Sequence, residues 1–307
     1  MLALAALAVP RLSRRPTAPP PRIPSPLQAA VLWLLAMVLV VAAGIVVAGV
    51  AALIALRTGL APDRAIELLL DPMGSPLVTT PTWISISILA SDLVLALLVW
   101  RFLRRHRLFL HEVCPLGVPS LRDLSGALLC VFGLAPLSRM LAELARRHLP
   151  HDVNNAETMV VALTRGISVG ELCAVLLATA LVPAVVEELL FRGVLTRGFL
   201  RSNLLAVCVP SAMFGLFHLE PTQAAGAFVL GVGFGIARLY TDSVLTSIAC
   251  HLAYNAYELI DVYTGGQVGS TDLHLGRVAL GLSLAAVGFG LMVVHPGQRL
   301  PRRERAR

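Results

Sequence analysis

Charged residues are scarce in this chain. Asp, Glu, Lys and Arg make up 14% of its 307 residues against 57% hydrophobic, and the mean hydropathy is +0.79. That balance excludes an ordinary soluble domain. Lysine is missing altogether, so all 25 basic residues are arginine. The five cysteines (Cys114, Cys130, Cys173, Cys208 and Cys250) show no C-x-x-C spacing, which leaves them as small apolar packing residues. No Gly-rich phosphate loop, nucleotide fingerprint, H-E-x-x-H pattern or internal repeat is present. The segment Met1 to Val9 is apolar, but it has no basic n-region and runs into a Pro- and Arg-rich stretch instead of a small-residue cleavage site. Residues 1–26 therefore read as a disordered basic arm. Its arginines either touch anionic lipid or are simply solvated, and the C-terminal tail carries the same two readings.

What is abundant is apolar sequence in helix-length runs. A helix needs about 20 such residues to cross about 30 Å of hydrocarbon. Eight runs qualify: Leu27 to Leu56, Thr82 to Trp100, Leu124 to Leu144, Gly170 to Leu190, Asn203 to Leu219, Thr222 to Leu239, Ser243 to Ile260 and Gly276 to Val294. The first is long and uncharged. The fourth to seventh are short or interrupted by polar groups. The expected fold is all-α, a polytopic membrane bundle of about eight transmembrane helices. Its parts are N-terminal helices over 27–144, a core over 170–260, and a last helix with a basic tail over 276–307.

Arginine orients the bundle. Clusters precede the first span (Arg11, Arg14, Arg15, Arg22), separate the second from the third (Arg101, Arg104, Arg105, Arg107, Arg122), follow the fourth (Arg192, Arg197, Arg201), close the sixth (Arg238) and follow the eighth. The alternate loops contain Arg57, Arg64, Arg146, Arg147 and Arg165, balanced by Asp63, Glu67, Asp71, Asp152 and Glu157. By the positive-inside rule both termini are cytoplasmic. Topology accounts for the net charge of +7, so the charge is no argument for nucleic acid. The expected setting is a lipid bilayer, that of a bacterial cell.

Against this background an acidic pair stands out. Glu187 and Glu188 close the apolar run from Leu172 to Val186, and a carboxylate at membrane depth costs about 2.5–3.5 kcal/mol on insertion scales. Adjacent helical residues diverge by about 100°, whereas residues four apart share a face. Glu188 and Arg192 are thus spaced for an ion pair, leaving Glu187 to project toward another partner. The bland alternative is a buried network that only pins helices together. Two apolar segments downstream carry Phe214-x-x-x-His218 and His251-x-x-x-Asn255. A carboxylate and an imidazole can share a water and take its proton, and a carboxamide can donate to a developing oxyanion. Asp92, the other acid within a span, reads as a helix-to-helix hydrogen bond, with a distant part of the site as the alternative. Depth is a test of this grouping. Glu187 and His251 fall near mid-span, but His218, counted from Asn203, lies well past the midplane unless tilt or a break at Pro210 brings it back.

The runs Glu187-Glu188-Leu189-Leu190-Phe191-Arg192-Gly193, Phe214-Gly215-Leu216-Phe217-His218 and His251-Leu252-Ala253-Tyr254-Asn255 resemble the three ordered motifs of the CPBP family of intramembrane proteases. That family includes the type II CAAX prenyl endopeptidases and bacterial lysostaphin-resistance and bacteriocin-immunity proteins. The resemblance covers roughly Gly170 to Ile260. It implies an eight-helix intramembrane endopeptidase acting on a peptide or protein substrate near the membrane surface. In that reading Glu187 and His218 activate water, His251 and Asn255 stabilise the oxyanion or position the water, and Glu188 and Arg192 support them. Zinc on Glu187, His218 and His251 and a metal-free mechanism based on Glu187 are both open. The competing class is a non-catalytic membrane protein, either a peptide-immunity factor or a transporter; a transporter would be expected to show related halves or matching broken helices.

Overall fold

The computed structural model describes residues 24–70, 79–148, 155–266 and 275–293. Residues 1–23 of the basic arm and the arginine tail after residue 293 lie outside the described residues. Within them the chain is all-α, and its β-type pairing is a single isolated bridge between Leu116 and Ser243. The helices are α1 (Pro26–Arg57), α2 (Pro62–Leu70), α3 (Pro81–His106), α4 (Leu110–Val113), α5 (Leu121–His148), α6 (Asn155–Thr164), α7 (Val169–Leu195), α8 (Asn203–Phe217), α9 (Pro221–Thr241), α10 (Val244–Tyr263) and α11 (Leu275–Val293).

Six of these, α1, α3, α5, α7, α9 and α11, are long and apolar enough to cross a membrane. Two of the eight expected spans are weaker. Helix α8 has only 15 residues, about 22 Å at 1.5 Å per residue. Helix α10 is interrupted by His251, Asn255, Glu258 and Asp261. Starts are set by local chemistry. Ser25-Pro26 and Thr80-Pro81 place a capping hydroxyl and a proline at the heads of α1 and α3, and Glu220 caps α9 in the same way before Pro221.

Small residues decide which faces pack. On α1 the buried positions are almost all alanine (Ala29, Ala36, Ala48, Ala51, Ala52), whereas Val31, Leu34, Val38 and Ile45 are exposed. A helix that turns its small residues to its neighbours and its large aliphatics outward suits a solvent as apolar as its own side chains. The contact between α5 and α11 is tightest. A Cβ at Gly126 would lie 2.8 Å from the carbonyl oxygen of Gly288, and one at Gly133 would lie 2.6 Å from that of Gly281.

The helices alternate in direction, which gives the bundle two distinct ends. At one end Val244 N donates to Pro115 O (2.8 Å) and Ser243 Oγ to Gly117 O, while Gly198 sits against Ser25 and Ala29. This end carries Arg101, Arg104, Arg105, Arg107, Arg122, Arg197 and Arg201. At the far end Ile84, Leu163, Val175 and Leu259 form a separate apolar cluster that ties α6 to α3, α7 and α10.

Helix α7 is not uniform. It widens to π-helical turns over Leu177–Leu181 and Leu189–Leu195, on either side of an α-helical stretch, Val182–Glu188. The first widening has a clear cause: Pro183 has no N–H and its ring crowds the carbonyl four residues back, so Val182 N donates five residues back to Leu177 O. In the second, Thr196 N–H and Oγ1 both reach Phe191 O. Such bulges in an α-helix frequently mark functional sites, and here they bracket the acidic pair.

Candidate active site

Helices α7, α8 and α10 contribute the polar groups. Helix α7 presents Glu187 and Glu188 to different surroundings, as the 100° divergence requires. The Glu188 side chain is 0% exposed and Arg192 1%, whereas Glu187 keeps 14% of its surface open. Arg192 Nη1 donates to Glu188 Oε1 at 2.7 Å and Nη2 to the Gly231 carbonyl at 3.0 Å. The guanidinium also lies over the rings of Phe214 (4.5 Å to the centroid) and Phe234 (5.3 Å). It is the largest fully buried side chain among the described residues. Gly231 packs closely beside it: a Cβ there would lie 3.1 Å from Arg192 Nη2 and 3.2 Å from Ser211 Cβ.

His251 is held on three sides. Its Nδ1 lies 3.1 Å from Glu188 Oε1, its ring stacks on Phe234 at 4.8 Å, and Phe214 meets it edge-on at 5.6 Å. With Nδ1 engaged by Glu188, Nε2 faces Glu187 Oε2 at 3.9 Å. That gap is too wide for a direct hydrogen bond, and Glu187 Oε2 is buried with no hydrogen-bond partner. His218 is fixed differently: its Nδ1 contacts the Phe214 carbonyl at 2.9 Å. A carbonyl only accepts, so Nδ1 carries the proton and Nε2 is left as an acceptor.

Glu187, His218, His251 and Asn255 line one cavity of ≈ 440 Å³. Glu188 and Arg192 do not line it; they lie behind its floor. The expected partition of the acidic pair is therefore the one observed, with one addition: Glu188 bonds His251 as well as Arg192. The depth problem of His218 resolves without the break suggested at Pro210. Helix α8 runs unbroken through Pro210 and ends at Phe217. The chain then reverses through His218–Glu220, with Leu219 at the left-handed φ of 62°, and re-enters as α9. A leucine rarely takes this conformation, and here it allows the tight reversal that leaves His218 on the cavity.

Asp92 departs from expectation. It is buried on α3 and its Oδ2 has no hydrogen-bond partner, so the helix-to-helix hydrogen bond is not made at that oxygen. Asp92 does not line the cavity. Sequence reasoning also missed the cavity's upper wall. Met159, Val160 and Leu163 of α6 line it, as do Arg139 of α5 and Glu258 of α10, which are paired at 2.6 Å. The apolar i, i+1, i+4 pattern of α6 was the available signal.

Among the described residues no group of three or more His, Cys, Asp or Glu is placed to hold a metal ion. His218 Nδ1 is turned to the carbonyl of its own helix and His251 Nδ1 to Glu188, which leaves Nε2 as the free nitrogen of each ring.

Residues 169–257 match the family model of Type II CAAX prenyl endopeptidase Rce1-like proteins. The match spans the acidic pair, both histidines and Asn255, and supports the CPBP-family identification that the three motifs suggest. Comparison with curated proteins and with solved structures gives no match.

Proposed function

We propose that the protein is an intramembrane endopeptidase in which Glu187 and His218 activate the attacking water. The observation that carries the reading is the single cavity onto which three helices bring a carboxylate, two imidazoles and a carboxamide, with a buried Glu188–Arg192 pair holding one imidazole in place. A protease family over the same residues supports it.

The chemistry follows from donors and acceptors. Glu187 and the free Nε2 of His218 accept the two hydrogens of a water, leaving an oxygen lone pair aimed at the scissile carbonyl. As the C–O bond forms, Glu187 takes a proton and the carbonyl electrons move to oxygen. The Asn255 carboxamide N–H, and His251 Nε2 when protonated, donate to that oxyanion. When the intermediate collapses the C–N bond breaks, and Glu187 returns its proton to the departing nitrogen.

The test is hydrolysis of a peptide library by purified protein in detergent or vesicles. Glu187→Gln and His218→Ala should each abolish cleavage without altering membrane insertion or folded yield, since neither adds a charge to the bilayer. A chelator should leave the rate unchanged. Wild-type cleavage by either variant would refute the assignment, and stoichiometric zinc lost together with activity would replace the metal-free mechanism.

A further inference from the structure

The cavity has a direction. Most of its lining lies in the half of the bundle remote from the arginine-rich end, and Glu187 on α7, Phe234 on α9 and His251 on α10 reach deepest toward that end. Helix α3, which starts at the far end, contributes Ile88 from its first third, and α5, which starts at the arginine-rich end, contributes Ser138, Arg139 and Ala142 from its second half. On α10 no lining residue precedes His251, the eighth of its 20 residues. The short helix α6, clustered at the far end with Ile84 and Leu259, forms part of the rim. The α8–α9 reversal contributes His218, Thr222 and Gln223.

The opposite route is closed. Directly beyond Glu187, toward the arginine-rich end, Glu188, Leu190, Phe191, Arg192, Val194 and Leu195 are all fully buried. Gly193 is packed so closely on Cys114 that a Cβ there would overlap its sulfur. The polar floor rests on a dry plug, and no residue of the segments joining α3 to α5, α7 to α8 or α9 to α10 lines the cavity.

Combining this direction with the arginine asymmetry, we propose that the site is loaded from the non-cytoplasmic side. The rule that puts Arg-rich ends in the cytoplasm puts the cavity mouth on the other face. The substrate, if the endopeptidase reading holds, is then a polypeptide segment exposed on that face: an exported protein, or the outward part of a membrane-anchored one. A C-terminus held in the cytoplasm would meet the plug.

Cysteine accessibility tests the direction without using proteolysis. Gln223→Cys and Met159→Cys report on the cavity and Val118→Cys, 86% exposed, on the arginine-rich end. They are made with exposed Cys173 and partly buried Cys208 replaced by serine; Cys114, Cys130 and Cys250 are buried. A membrane-impermeant maleimide added to intact cells should label both cavity cysteines and not Val118→Cys, and inside-out vesicles should reverse the pattern. Cavity labelling from the cytoplasmic side overturns the proposal. So does labelling of correctly inserted cavity variants only by a lipid-soluble maleimide, which would mean entry from the bilayer. The pattern should be the same in Glu187→Gln protein. A failure of the catalytic assignment and a failure of the access side are therefore read separately.

Discussion

Replacing Arg192 by leucine should destabilise the bundle more than any other single change near the cavity. The guanidinium has no solvent, holds Glu188 at 2.7 Å and Gly231 O at 3.0 Å, and lies over two aromatic rings. Removing one partner of a buried pair typically costs about 3–5 kcal/mol, because the other is left as an uncompensated charge. Removing both should cost less. In Glu188→Leu with Arg192→Leu no charge is stranded, and the main loss is His251 Nδ1–H, orphaned from Glu188 at a cost of about 1–3 kcal/mol. Thermal unfolding of purified protein, with folded yield by size exclusion, measures both. The single variant should melt lower by on the order of 10 °C, and the double variant should recover part of that fall. A single variant that melts with the wild type, or a double variant whose loss equals the sum of the two single losses, would refute the reasoning. Stability retained with activity lost would move Arg192 from support to substrate binding.

Gly133→Val should lower folded yield by opening the α5–α11 contact, where the new Cβ meets backbone at 2.6 Å; Gly44→Val on α1, with nothing within 4 Å, is the neutral control, and equal yields would refute the packing argument. Asp92→Asn removes a buried carboxylate that has no hydrogen-bond partner at Oδ2. It should keep or raise the melting temperature, whereas a lower melting temperature would show that the carboxylate has a stabilising partner.

Legibility in the sequence followed the range of the interaction. The Glu188–Arg192 pair was readable because four residues on one helix fix a shared face. The bond from Glu188 to His251 was not, since it joins residues 63 apart, and no periodicity encodes which helix lies alongside. Long apolar runs disclosed α1, α3, α5 and α11, where composition and length are enough. The π-helical turns of α7 were hidden, although Pro183 was in plain view, because a proline within a helical run permits a kink, a break or a widened turn and the neighbours select among them.

The weakest span in the sequence explains the site best. Helix α8 is too short to cross about 30 Å of hydrocarbon, and that brevity is what makes room for a cavity. If α8 continued in helix beyond its cap at His218, its next turns would run into the space that α5, α6 and α10 now line. Instead the chain turns back at Leu219, and Glu220 caps the new helix through the backbone N–H groups of Thr222 and Gln223. The α8–α9 apex satisfies its own polar groups in this way, which backbone below the membrane surface requires unless water reaches it. The recess left above the apex is lined by residues of α5, α6 and α10 and leads to His218 and Glu187. A full-length helix would have filled that recess; the shortened hairpin leaves a polar cavity inside the bundle with Glu187 and His218 on its wall.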